Sequence, residues 1–157
     1  MSYPTGNSVH DFIDEKLTTV QYSKFDNVIS IIQTWGEHVK LGNIDIKSSF
    51  RILPCYPGDF DLFGFKIGGM NYIDKCMPMG CSMSCSTFEH FSTFLQWFVQ
   101  EVHGLTNLDY YLDDFFFAEM SHSVCSNSMF KFKNICKRLG VPIADEKEKV
   151  LWQVWNT

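Results

Sequence analysis

The segment Tyr110-Tyr111-Leu112-Asp113-Asp114-Phe115-Phe116-Phe117 sets two adjacent carboxylates among aromatic and aliphatic side chains. An ionised carboxylate is expensive in apolar surroundings, so such a pair sits at a solvent-exposed turn, meets a cation or holds a metal. No Lys or Arg occurs between Lys75 and Lys131, whereas Glu89, Glu101, Asp109, Asp113, Asp114 and Glu119 all lie in that stretch. It could gather cations. A further acidic residue of this character is Asp45, between Ile44 and Ile46. An Asp closing one strand and an Asp pair at the turn of a neighbouring hairpin could converge on one point. Hard divalent cations favour that arrangement, a few carboxylate oxygens completed by substrate phosphates.

Elements able to position these residues are legible around them. Val28, Ile31, Ile32 and Trp35 fall at helical spacing, which predicts a helix over Phe25–Trp35, capped by Asp26 and ended by Gly36. Leu41–Ile46 reads as a strand. Residues 62–76 are apolar and aromatic around Gly68-Gly69, a pair suited to a two-residue hairpin turn. Pro78 and Gly80 make a loop. A helix from Ser84 to Val102 carries Phe88, Phe91, Leu95, Phe98 and Val102 on one stripe expected in the core. Residues 107–118 form two strand-like runs separated by Asp113-Asp114, a helix spans Val124–Arg138 with Gly140 beyond it, and Val150–Trp155 is a last strand. The first two dozen residues read as an extended segment. This order predicts an α+β fold, helices packed on one face of an antiparallel sheet.

At 157 residues the chain suffices for one domain with a real core, and fifteen Phe promise a bulky interior. The net charge of -5 is opposite to that of an autonomous nucleic-acid binder. Six cysteines without a signal-like opening segment suggest reduced thiols and an intracellular protein, in cytoplasm or nucleus. Cys76, Cys81, Cys85 and His90 match no zinc spacing, and ordinary buried cysteines are expected. No apolar run approaches the roughly 20 residues that cross a bilayer.

Tyr111-Leu112-Asp113-Asp114 resembles the Tyr-x-Asp-Asp box of reverse transcriptases. Asp45-Ile46-Lys47-Ser48-Ser49-Phe50-Arg51 resembles their first catalytic motif, Met77-Pro78-Met79-Gly80 the Leu-Pro-x-Gly motif, and Leu139-Gly140-Val141-Pro142 through Lys147 the later Gly…Lys motif. The wording of residues 2–9, of Asp59-Phe60-Asp61-Leu62-Phe63-Gly64-Phe65 and of Asp74-Lys75-Cys76 is most similar to DIRS-like, tyrosine-recombinase-encoding retrotransposons.

The resemblance implies a right-hand polymerase palm with part of the fingers and no thumb. Residues of about 1–40 and 55–80 would be fingers-like, and about 41–54 and 81–157 palm-like. Asp45, Asp113 and Asp114 would bind two Mg²⁺ (or Mn²⁺). The backbone amides of Ile46, Ser48 and Ser49 would line metal and triphosphate. Phe50 would be the sugar gate, or else a core Phe. Met79, Gly80 and Leu112 would border nucleotide or template, Gly80 by letting the backbone approach where a Cβ would obstruct. Lys147 would protonate the departing pyrophosphate, or else be a solvated lysine in a charged run. Implied partners are an RNA or DNA template with primer, dNTP, and thumb and RNase H regions of a longer polyprotein, with no membrane. The basic residues that fingers bring to the triphosphate are few, only Lys16 and Lys24 before Lys40, and Leu151-Trp152-Gln153-Val154-Trp155 departs from a Phe-Leu-Gly-type ending. The expectation is therefore an RNA-directed DNA polymerase core, incomplete as an isolated chain. The alternative is a catalytically inactive, retroelement-derived binding or scaffold domain.

Overall fold

The structure, a computed structural model, describes residues 8–22 and 26–151. Residues 2–7 of the family-like opening, Phe25, and residues 152–155 of the expected last strand lie outside them. The chain forms two compact units, residues 1–21 with 48–90 and residues 22–47 with 91–157.

In the second unit, α1 (Asp26–Trp35) begins with Asp26 itself, which places the carboxylate in the first turn, where the helix dipole favours it. Strand β1 (Lys40–Asp45) then pairs with partners far along the chain. Strands β4 (Leu108–Tyr111) and β5 (Asp114–Glu119) form the expected hairpin, and β6 (Lys149–Leu151) closes an antiparallel sheet of order β4-β5-β1-β6. Helix α3 (His122–Leu139) crosses β1 and β5. Its start lies two residues before the expected one because Ser121 caps it, accepting from the Val124 amide at 3.3 Å. Gly140 ends it at φ 74°, with its amide and that of Val141 both turned back on the last turn.

Period-two alternation gives this sheet its core face. Ile44 lies opposite Phe115, and Gly42 opposite Phe117. Phe132 of α3 packs on both phenyl rings, at centroid distances of 4.8 and 5.4 Å. All three Phe are fully buried, each contributing roughly 1.5–3 kcal/mol. Gly42 is there for contact rather than conformation: a Cβ would fall 2.4 Å from the Met129 sulfur and 3.1 Å from that of Cys125.

The first unit is built from short 3₁₀ turns at Val9–Phe12, Glu15–Leu17, Ser49–Ile52 and Pro57–Phe63, not from an extended amino-terminal segment. The hairpin β2 (Gly64–Ile67) and β3 (Met70–Ile73) turns at Gly68 and Gly69, both with positive φ as a two-residue I′ turn requires. Ile67, Met70, Tyr72 and Ile73 on it are exposed. Arg51 donates to both Asp74 oxygens at 2.6 and 2.5 Å, and His10 Nδ1 meets the Ser82 hydroxyl at 3.2 Å.

Helix α2 (Ser84–Trp97) starts in the first unit and ends in the second. The expected single helix to Val102 is corrected here, because Phe98–Val102 is a π turn. Five residues per hydrogen-bonded step rotate the stripe, so Val99 is buried while Val102, expected in the core, is 56% exposed. The cysteines divide likewise: Cys125 and Cys136 are buried, but Cys55, Cys76, Cys81 and Cys85 are half-buried free thiols. Among the described residues no helix is long and apolar enough to cross a membrane.

Candidate active site

Strand β1 ends where the β4–β5 hairpin turns. Asp45 lies directly opposite Asp114, which itself faces Tyr111. Opposite residues share a face with Cβ atoms roughly 4.5–5.5 Å apart, so register alone brings two of the three acidic residues together, with Asn43 on the same face. The third, Asp113, occupies the two-residue loop with Leu112. Leu112 has φ 52°, while Asp113 is not among the positive-φ residues, the II′ pattern that favours Gly at its first position. Holding a Leu there costs about 1–3 kcal/mol, which the surroundings must offset. Both loop carbonyls are tied from outside: that of Leu112 accepts the Ser92 hydroxyl at 2.6 Å, and that of Asp113 accepts the Ile46 amide at 2.9 Å.

Asp45 is 7% exposed, and Lys147 Nζ donates to both its oxygens at 3.0 Å. That contact holds the ammonium above its ordinary range. Burial pushes the Asp114 carboxyl up; Asn43, donating at 3.4 Å, opposes this, and the neighbouring Asp113 and Asp45 charges add to it. Asn43 Oδ1 is buried with no partner among the described residues. Tyr22 stacks on Tyr111 at 5.1 Å. The site is an acidic cluster with one bound ammonium and one unsatisfied acceptor. Among the described residues, no three Asp, Glu, His or Cys side chains converge tightly enough to hold an ion as they stand. Both oxygens of Asp45 are taken up by Lys147.

A reverse transcriptase (RNA-dependent DNA polymerase) family model matches residues 3–155. The chain belongs to the reverse transcriptase family. A comparison with curated proteins gives no match. Among solved structures, the foamy viral protease-reverse transcriptase in complex with an RNA/DNA hybrid is similar at TM-score 0.61 and 18% identity, over 73% of this chain and 15% of that one. The same viral protein in a dRH form with double-stranded DNA gives TM-score 0.62 and 18% identity, over 75% and 21%. The native prototype foamy virus protease-reverse transcriptase gives 0.62 and 20%, over 73% and 14%. These likenesses show the fold, a mixed helix and antiparallel-sheet arrangement of the palm and fingers kind; this reverse transcriptase chain spans about a fifth or less of each.

The residues carried over from the reverse transcriptase motifs divide between the two units. Asp45, Ile46, Leu112, Asp113, Asp114 and Lys147 belong to the second, and Ser48, Ser49, Phe50, Met79 and Gly80 to the first. The Ile46 amide is not available to line a triphosphate, because Asp113 already takes it; its carbonyl is the group left. Ser48 sits at φ 53° with its carbonyl accepting from Arg51 at 2.7 Å. Phe50 is half-buried, edge-on to Phe88 at 5.6 Å. Within the chain Gly80 is explained by its φ of 85° and not by crowding, since a Cβ there meets nothing within 4 Å. Met79 is 82% exposed beside an apolar pocket that Leu62, Phe63, Phe65 and Pro78 help line. Sequence reasoning missed Asn43, Ser92 and Tyr22. Asn43 carried a signal, lying two residues before Asp45 on the same strand face; Ser92 and Tyr22 carried none.

Proposed function

We propose that this chain is the core of an RNA-directed DNA polymerase, transferring a nucleotidyl group from dNTP to a primer 3′-hydroxyl. The observation that carries the reading is the register that sets Asp45 against Asp114, with Asp113 in the adjoining loop. Three carboxylates from two strand ends and one turn form a donor set of the kind that Mg²⁺ or Mn²⁺ takes. The unpartnered Asn43 oxygen beside them fits a hydrated ion, because an ordered metal-bound water would satisfy it. When bound, two such ions would lower the pKa of the primer hydroxyl and stabilise the leaving oxygens.

The chain's own residues do the rest. Asp45, Asp113 and Asp114 would hold the ions. Lys147, its ammonium already at the cluster and its side chain 61% exposed, moves off Asp45 and protonates the departing pyrophosphate. In the second unit the Ile46 carbonyl would face the metal and Leu112 would border nucleotide or template; in the first, Phe50 would exclude a 2′-hydroxyl, the Ser48 and Ser49 amides would line the triphosphate, and Met79 and Gly80 would border nucleotide or template. Residues of about 1–40 and 55–80 are proposed as fingers-like and about 41–54 and 81–157 as palm-like; the compact units, divided at residues 21, 47 and 90, follow different bounds. The DIRS-like subgroup rests on the motif wording. Template-primer, dNTP, and thumb and RNase H regions of a longer protein complete the proposed assembly.

The test is twofold: primer extension on an RNA template with Mg²⁺, and Mn²⁺ binding read by paramagnetic resonance, each beside Asp113→Asn. Mn²⁺ binding is expected of this chain, and metal-dependent extension once the thumb and RNase H regions are supplied, with a loss in the variant beyond the about 10–100-fold typical of residues outside the coordination sphere. Absence of both leaves the retroelement-derived binding or scaffold reading.

A further inference from the structure

We infer that Ser92 is a positioning residue for the acidic loop: its hydroxyl locks the Leu112–Asp113 peptide in one orientation and so sets the direction of the Asp113 carboxylate. In a two-residue hairpin loop the central peptide carries the carbonyl of the first loop residue. Rotating that peptide changes ψ of the first residue and φ of the second together, interconverting turn types without moving the strands. Here the carbonyl is that of Leu112, the second residue is Asp113, and among the described residues the side chain that meets that carbonyl is Ser92, at 2.6 Å. Ser92 is fully buried. Leu112 has φ 52°, where a non-glycine residue gains nothing locally and is kept only from outside.

The neighbouring contacts make Ser92 part of a row. Thr93 meets the Tyr110 hydroxyl at 2.7 Å, Gln96 and Gln100 donate to the Leu108 carbonyl at 3.4 and 3.1 Å, and Gln96 also reaches Asp109 at 3.3 Å. β4 is the edge of its sheet, and this row supplies donors to its Leu108 carbonyl. Within this row, among the described residues, Ser92 is the member that reaches the loop. The catalytic consequence rests on the polymerase reading; the peptide lock does not.

The experiment reads the three-bond amide coupling and relaxation dispersion of Asp113 by NMR in the full chain, with Ser92→Ala and Ser92→Thr, alongside Mn²⁺ binding. Wild type and S92T are expected to show one unaveraged coupling. S92A is expected to show an averaged coupling with exchange, and about tenfold weaker Mn²⁺ binding, the effect of one lost hydrogen bond. S92C, of similar volume but a weaker donor, serves the same comparison should S92A not fold. An unchanged Asp113 coupling in S92A, or its loss in S92T, overturns the lock whatever happens to binding. If wild type binds no Mn²⁺, the polymerase reading fails while the coupling still decides the lock.

Discussion

Lys147 and Asp45 illustrate how one residue pair can serve two states. The carboxylate is nearly buried and needs a cation to remain charged at low cost, whereas the ammonium is mostly in water and loses little on leaving. Lys147→Met is therefore expected to lower the melting temperature without metal. Millimolar Mg²⁺ should then recover more of that loss than it adds to wild type, since a ligand bound only by the native state stabilises it. Thermal melts with and without Mg²⁺ check this; equal shifts in both proteins would sink it. The Arg51–Asp74 pair gives a pH dependence of definite sign. The guanidinium holds the Asp74 carboxyl below its usual range, so its stabilisation is present above the unfolded value and is lost as pH falls through the lower, folded one. Asp74→Asn should cost about 1 kcal/mol or less at neutral pH, because Arg51 is half-exposed. The difference should vanish in acid.

At the scale of elements, β1 depends on a side chain that is absent rather than present. Gly42 lets α3 lie close to the sheet, and Gly42→Ala should destabilise by about 1–3 kcal/mol, because Met129 is buried and has little room to move. Denaturant unfolding measures it. How far such elements can be read in advance depends on how local their causes are. The β2–β3 hairpin was legible because two glycines specify its turn, and the α3 end because Gly140 does. Asp113 and Asp114 were legible because charge among aromatics is anomalous in any fold. The π turn after Trp97 was not, since its sequence continues the helical stripe and only packing shows the slip from Val102 to Val99. The Asp45–Lys147 bond joins residues 102 positions apart, and Ser92 is one buried serine among several, so neither had a local signature.

For the whole molecule, chemistry and bulk charge point in different directions. The net charge is -5, and contacts to a nucleic-acid backbone need Lys and Arg, so under the proposed polymerase reading affinity of this chain for a hybrid should be weak and its salt dependence shallow in a binding titration. The thiols offer an independent check on the two units. Burial pushes Cys136 up to about 12 and Cys125 up to about 11, and neither is accessible. An alkylating reagent at pH 8 should modify Cys55, Cys76, Cys81 and Cys85 in the native protein and reach Cys125 and Cys136 only on unfolding, as peptide mass mapping would show. Early modification of Cys136 would mean that α3 is not seated on the sheet.

The β2–β3 hairpin has a practical side. Its exposed Ile67, Met70, Tyr72 and Ile73 make a short two-stranded ribbon with uncovered apolar side chains and open edges, the combination that recruits other strands. This ribbon, rather than the stability of either core, is expected to limit the solubility of the chain. Ile67→Lys with Met70→Glu should raise the concentration at which light scattering appears while leaving the melting temperature nearly unchanged.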